Sequence, residues 1–196
     1  MAIPISACAA AILAGGQSLR MGRCKGLLPV GAETMLQRTA RILSPFDEIL
    51  LSANTPETAA HLPLTAVPDR YAGAGPLAGL QACLSATQKP FLFSVPCDLP
   101  YFTQEVFTLL LERFPPGMDA MVYYDSTGRP QPLCGIYRRS TLPVMTARLE
   151  KGQYRMMDFL SAITCCYLDA GALLPCQVFF NMNTLTDYDA VIGKRK

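Results

Sequence analysis

Residues 91–95 (Phe-Leu-Phe-Ser-Val) form a short apolar run closed on both sides by proline, at Pro90 and Pro96. Such a run is too short for a core helix and has no alternation of apolar and polar residues. It reads as a central strand buried on both faces, which requires other elements to cover the sheet from both sides. Residues 7–13 and 48–53 (Glu-Ile-Leu-Leu-Ser-Ala) have the same character. Helical patterns lie between these runs. Residues 35–43 are amphipathic, and Thr55-Pro56-Glu57 offers an N-cap and a first-turn proline for a further helix. Residues 76–87 follow a glycine-rich turn, and 103–114 carry Leu109, Leu110 and Phe114 toward an inner side.

The second half continues the alternation. Residues 120–124 and 133–137 are expected strands around a Ser-Thr-Gly-Arg turn, and 140–150 is an expected helix. Late strands are expected at 164–168 and 178–180, then a closing helix at 185–192 with Asp187 in its first turn. Strands alternating with helices predict a Rossmann-like, three-layer α/β/α fold around a mostly parallel central sheet. A chain of 196 residues supports one such domain and is short for two. Ligands in such folds bind beyond the carboxyl ends of the strands. The positions of interest are therefore 14–25 after the first strand, Asn54 after the second, Asp69 after the third and 96–100 after the fourth.

Several function classes are excluded. A formal net charge of +2 and the lack of a Lys/Arg block before Lys194-Arg195-Lys196 argue against a nucleic-acid partner. No run of 18 apolar residues spans a membrane. The apolar N-terminus lacks a basic leader and ends in Gly15-Gly16, so it reads as a buried strand rather than a signal peptide, and the expected location is the cytoplasm. The eight cysteines (Cys8, Cys24, Cys83, Cys97, Cys134, Cys165, Cys166 and Cys176) are scattered, with no Cys-x-x-Cys pair. Free buried thiols fit them better than a disulfide framework. With His61 as the single histidine, a His-based zinc cage or a Ser-His-Asp triad has too few ligands. A metal here would be a hard cation on carboxylate oxygen, such as Mg2+.

The first strand runs into Leu13-Ala14-Gly15-Gly16-Gln17-Ser18-Leu19-Arg20-Met21-Gly22-Arg23-Cys24-Lys25. Glycines at a buried strand's exit leave backbone amides free to face phosphate, and Arg20, Arg23 and Lys25 place three cations within six residues. A polyphosphate site and a turn bearing ordinary surface cations both remain open on spacing alone. The chain has no G-x-x-x-x-G-K-[ST] P-loop. Gly73, Gly75 and Gly79 give G-x-G-x-x-x-G, one residue off the dinucleotide fingerprint.

The stretch LAGGQSLRMGRCKGLLPVG resembles the signature loop of nucleotidyltransferases that activate small molecules with NTPs. Within that superfamily it is most similar to the molybdenum cofactor guanylyltransferases (the molybdopterin-guanine dinucleotide biosynthesis protein A family). The guanylyl branch favours LAGG, whereas sugar-nucleotide and cytidylyl enzymes usually carry LAAG. The resemblance continues through Asn54, Asp69, the GPLAG of 75–79, the PCDLP of 96–100, Gln131-Pro132-Leu133, residues 152–155 and the FNMNT of 180–184. One departure is Cys24, where the family usually has Asp. Its thiol would be oxidation-prone if exposed beside Arg23 and Lys25, and inert if buried.

The resemblance implies a nucleotide-diphospho-sugar transferase-like fold with one domain over 1–196. About 1–100 would bind GTP and about 101–196 the acceptor. It implies transfer of GMP from GTP to the terminal phosphate of molybdopterin, or of its molybdenum form, with release of pyrophosphate. Lys25 and Arg20 would hold the triphosphate, and Asp98 would bind Mg2+ unless it is only a turn or capping residue. Leu13, Ala14, Gly15 and Gly16 would bring backbone to the guanine. Asn54, Gly75, Pro76 and Leu77 would shape the base and ribose pocket. Asp69 would be a second acidic contact or would orient that loop. Gln131, Arg155, Asn181 and Asn183 are the acceptor-side candidates, with capping of the last helix as the other reading of the two asparagines. Cofactor-insertion proteins or molybdoenzyme chaperones would be partners. Cytidylyl or another nucleotidyl transfer to molybdopterin or a sugar or polyol phosphate is the alternative reaction, and a non-catalytic nucleotide-binding protein the alternative class.

Overall fold

The computed structural model describes residues 2–15, 25–55, 58 and 62–193. Gly16, Arg20, Arg23, Cys24, His61 and most of the expected helix after Thr55 lie outside the described residues. The strands are β1 (Cys8–Leu13), β2 (Pro29–Val30), β3 (Glu33–Thr34), β4 (Ile49–Ser52), β5 (Thr65–Val67), β6 (Phe91–Pro96), β7 (Ala120–Tyr124), β8 (Pro130–Arg138) and β9 (Cys165–Asp169). The helices are α1 (Met35–Ile42), α2 (Pro76–Ala86), α3 (Gln104–Arg113), α4 (Leu142–Glu150), α5 (Met156–Leu160) and α6 (Leu185–Gly193).

Seven strands form one sheet in the order β5-β4-β1-β6-β8-β7-β9, and β2 and β3 form a separate hairpin. Only β8 runs against its neighbours β6 and β7, so the sheet is mostly parallel. Along β1 the side chains alternate between two cores. Cys8, Ala10 and Ile12 face a layer containing α1 and α3, while Ala9, Ala11 and Leu13 face α2, α4 and α5. Phe93 stands at the centre of the first core, with ring centroids 6.0 Å from Phe46, 5.8 Å from Phe107 and 6.1 Å from Phe102. Each such pair adds about 0.5–1.5 kcal/mol beyond its buried area.

Local signals explain most boundaries. At α1, Thr34 accepts the Gln37 backbone N–H through its hydroxyl, and the Gln37 side chain accepts the Thr34 N–H, a reciprocal cap. A turn of 3-10 helix, Arg139–Thr141, precedes α4, where the sequence pattern suggests one continuous helix. In α3 the buried side chains are Val106, Phe107, Leu110 and Leu111, and Leu109 flanks them half-buried. The expected strand at 178–180 is instead a 3-10 turn, Cys176–Phe179. Pro175 starts it, and Val178 and Phe180 donate to the carbonyls of Pro175 and Gln177 rather than to a strand. The apolar Val178 and Phe179 are buried by packing on the first core. The seven described cysteines form no disulfide. Burial pushes the Cys8 and Cys83 thiols up to about 12, so they are inert. Cys176 is exposed, against the expectation of burial. No helix among the described residues is long and apolar enough to cross a membrane.

Candidate active site

The register aligns the strand exits. Leu13 pairs with Ser52 on one side and Pro96 on the other, and Ser52 pairs with Val67. Gly15, Asn54, Asp69 and Asp98 each lie two residues past this row (13+2, 52+2, 67+2, 96+2). All four therefore meet at the carboxyl edge of the sheet. The chain turns outward in both directions from the β1–β6 junction, the switch point where such sheets open a crevice.

On one side of the crevice, Asp69 is fully engaged. Its Oδ2 accepts from Asn54 Nδ2 at 2.8 Å, its Oδ1 accepts from the Ser52 hydroxyl at 3.3 Å, and its own N–H donates to Asn54 Oδ1 at 2.8 Å. A carboxylate used in this way fixes a loop. Gly79 of α2 presses on the same group: a Cβ there would stand 2.4 Å from Ser52 Oγ and 3.3 Å from Asp69 Oδ1. Glycine thus lets α2 sit against β4, bringing its N-terminus to the strand exits. That end begins with Gly75, whose φ of 70° favours glycine, and Pro76 at the first turn. Leu77 is wholly buried and anchors this end of the helix in the core.

On the other side, Lys25 Nζ lies 3.4 Å from Asp98 Oδ2 and donates to Asn183 Oδ1 at 2.6 Å. Asp98 Oδ1 is buried without a hydrogen-bond partner. Burial pushes the Asp98 carboxyl above the usual carboxylate range, and the nearby Lys25 only partly offsets it. Asn183 reaches Lys25 because α6 docks on the hairpin that follows the lysine. Val191 packs with Leu28 and Val30, and the Tyr188 hydroxyl donates to the Pro29 carbonyl at 2.8 Å.

Neither asparagine caps α6. Thr184 does so, its hydroxyl accepting the Asp187 N–H at 3.1 Å while the Asp187 carboxylate accepts the Thr184 N–H at 2.8 Å. Asn181 instead donates to the Phe179 carbonyl at 3.0 Å. Asn181 and Asn183 line a cleft of 420 Å³ together with Gln131, Phe180, Asp125 and Arg129. Arg155 does not line this cleft. It is exposed at the start of α5, which packs on the opposite face of the sheet from Phe179.

Residues 10–164 match the family described as the MobA-like NTP transferase domain. The chain belongs to this family. It is 35% identical over 187 residues to a Carboxydothermus hydrogenoformans protein named "Probable molybdenum cofactor guanylyltransferase", covering 93% of each chain. A protein of the same name from Pelotomaculum thermopropionicum is 34% identical over 181 residues, 90% of this chain and 87% of that one. In fold the chain is similar to the crystal structure of molybdopterin-guanine dinucleotide biosynthesis protein A from Archaeoglobus fulgidus. The TM-score is 0.82 at 21% identity, over 95% of this chain and 97% of that one. This MobA-like transferase is thus a nucleotidyltransferase whose curated relatives tie it to molybdenum cofactor biosynthesis.

Three features of the candidate site carry no distinctive signal in the sequence. Ser52 looks like an ordinary strand residue, and its contact with Asp69 is tertiary. Asp125 and Arg129 are visible only as turn residues around Gly128. Phe179 and Phe180 read as a strand, although Phe179 covers the core and Phe180 lines the cleft.

Proposed function

We propose that this protein transfers the GMP unit of GTP to the terminal phosphate of molybdopterin or its molybdenum form, releasing pyrophosphate. The observation that carries the reading is the position of Lys25. Its ammonium bridges Asp98, at the exit of β6, and Asn183, which lines the 420 Å³ cleft. A donor triphosphate over the first loop and an acceptor in the cleft would meet at that ammonium. Residues up to about 100 would serve the donor, and those from about 101 the acceptor.

The nucleophile needs no general base, because a phosphate monoester with a second pKa of about 6 is already largely ionised near neutrality. One of its oxygens attacks the α-phosphorus of GTP, and the bond from that phosphorus to the β-bridging oxygen breaks. The difficulty is bringing two anions together, so charge neutralisation and positioning should dominate catalysis. Lys25 would stabilise charge on the α-phosphate and the departing pyrophosphate, with Arg20 beside it. The backbone of Leu13 to Gly16 would face the guanine, and the Asn54–Asp69 pair would hold the loop of Gly75, Pro76 and Leu77 against base and ribose.

Asp98 fits a magnesium site. Its Oδ1 is buried and unpartnered, and hard cations take carboxylate oxygen. Bound there, Mg2+ would neutralise phosphate charge. No group of three or more His, Cys, Asp or Glu side chains able to cage a metal occurs among the described residues, as suits a cation shared with the nucleotide. Molybdoenzyme chaperones or cofactor-insertion proteins would receive the product, and the cytoplasm is the proposed location.

The test is a donor panel. Purified protein with Mg2+ and molybdopterin receives GTP, CTP, ATP or UTP separately, and pyrophosphate and pterin dinucleotide are measured. GTP is expected to be used at least about tenfold faster than the others, a difference of about 1.4 kcal/mol in transition-state binding. Product with CTP alone would retain the transfer chemistry and overturn the guanine assignment.

A further inference from the structure

Of the eight described residues lining the 420 Å³ cleft, Arg129 is the one with a positive charge. Its backbone is fixed by an unusually complete turn. Asp125 Oδ1 accepts from the Thr127 N–H at 2.9 Å, the Thr127 hydroxyl at 2.7 Å and the Arg129 N–H at 3.0 Å. The Asp125 N–H donates to the Arg129 carbonyl at 2.9 Å, and Gly128 supplies the φ of 78° that the turn needs. Asp125 Oδ2 accepts from Gln131 Nε2 at 2.8 Å. Burial would raise the Asp125 carboxyl, but the donors from Thr127, Arg129 and Gln131 together hold it below the usual range. It is therefore a carboxylate whose oxygens are already occupied.

The consequence lies at the other end of Arg129. Among the described residues its guanidinium makes no hydrogen bond or ion pair, although a carboxylate sits four residues away. Arg129 is exposed, so its unpaired guanidinium is open to an anion, and its planar fork matches two oxygens of one phosphate. The rest of the cleft suits the body of the same molecule. Gln131 and Asn181 each give one amide N–H, to Asp125 and to Phe179 respectively, which orients their amide planes and leaves their carbonyl oxygens for the N–H groups of a pterin. Asn183, with its oxygen on Lys25, joins the cleft to the transfer site.

We propose that Arg129 binds the phosphate monoester of the acceptor and sets the preference for a phosphorylated pterin; this rests on the acceptor class proposed above. A phosphate monoester has three non-bridging oxygens. Two engage the guanidinium fork, and the third remains to attack the α-phosphorus at Lys25. Arg155, on the opposite face of the sheet, does not supply this contact.

Two probes test it: 6-hydroxymethylpterin and its phosphate monoester, with binding followed by the quenching of pterin fluorescence. Wild-type protein is expected to bind the phosphate ester at least about tenfold more tightly, as hydrogen bonds to a charged group allow. Arg129→Ala is expected to erase that preference while leaving binding of the free alcohol and of GTP within about twofold, and Arg129→Lys to retain part of it. A preference undiminished in Arg129→Ala, or equal binding of the two probes by the wild type, overturns the assignment. Wild-type protein that shows the preference but makes no dinucleotide retires the transfer reaction and keeps the anion site.

Discussion

Asp98→Asn is expected to cut turnover by about 10³-fold without lowering the thermal stability of the metal-free protein at neutral pH. The two halves of this expectation have one cause. Asp98 is buried, one of its oxygens has no partner among the described residues, and Lys25 lies 3.4 Å away as its cationic neighbour among them. Burial outweighs that neighbour, so the folded-state pKa is raised. For an acid this means that the native state holds its proton more tightly than the unfolded chain. Stability is then lost as pH rises from the ordinary carboxyl pKa through the raised one, and it stays lost above. Asparagine removes that penalty and removes the ligand for a hard cation with it. Thermal melts at about pH 4 and pH 7, beside kcat, separate the two effects: the stability difference between variant and wild type should narrow at the lower pH. Native turnover in the variant would end the metal-binding role of Asp98, and a lower melting temperature at pH 7 would contradict the account of its burial.

Lys25→Ala is expected to lower kcat by about 10²–10³-fold and to raise the KM for GTP. In the free protein the ammonium is shared between Asp98 and Asn183, so it is held in place before substrate arrives. Preorganised charge costs no rearrangement at the moment of reaction, so its removal should weigh on kcat. The substitution also leaves Asp98 without its cation, which pushes that carboxyl further up and weakens its hold on metal near neutrality. Added Mg2+ should then recover less activity in Lys25→Ala at pH 6 than at pH 8. Turnover within about threefold of wild type would exclude Lys25 from the chemistry.

The site was legible where position along a strand decides function. Short apolar runs reveal parallel strands, and their aligned ends put Gly15, Asn54, Asp69 and Asp98 on one edge whatever the rest of the fold does. What a residue does at that edge was less legible, because it depends on partners far away in sequence. Asp69 and Asp98 look alike in the chain. Asp69 is engaged by Ser52 and Asn54, 17 and 15 residues away, whereas Asp98 keeps a buried oxygen free. The asparagines before α6 resemble caps in sequence, yet Thr184 and Asp187 already satisfy that end of the helix. The run at 178–180 has a strand's composition and lacks a strand's partner, because Pro175 turns the chain and packing alone buries it. Arg155 is the phosphate candidate in sequence and Arg129 only a turn residue, yet the folded sheet puts Arg129, and not Arg155, at the cleft.

The most direct test of the central claim follows the phosphorus atoms of GTP. Protein, Mg2+ and molybdopterin are incubated with GTP labelled with 32P at either the α or the γ position, and pterin product and pyrophosphate are separated. Attack at the α-phosphorus predicts α-label in the pterin product and γ-label in pyrophosphate. Label from the γ position in the pterin product, or α-label that stays with free guanine nucleotide, would contradict nucleotidyl transfer at the Lys25–Asp98 site.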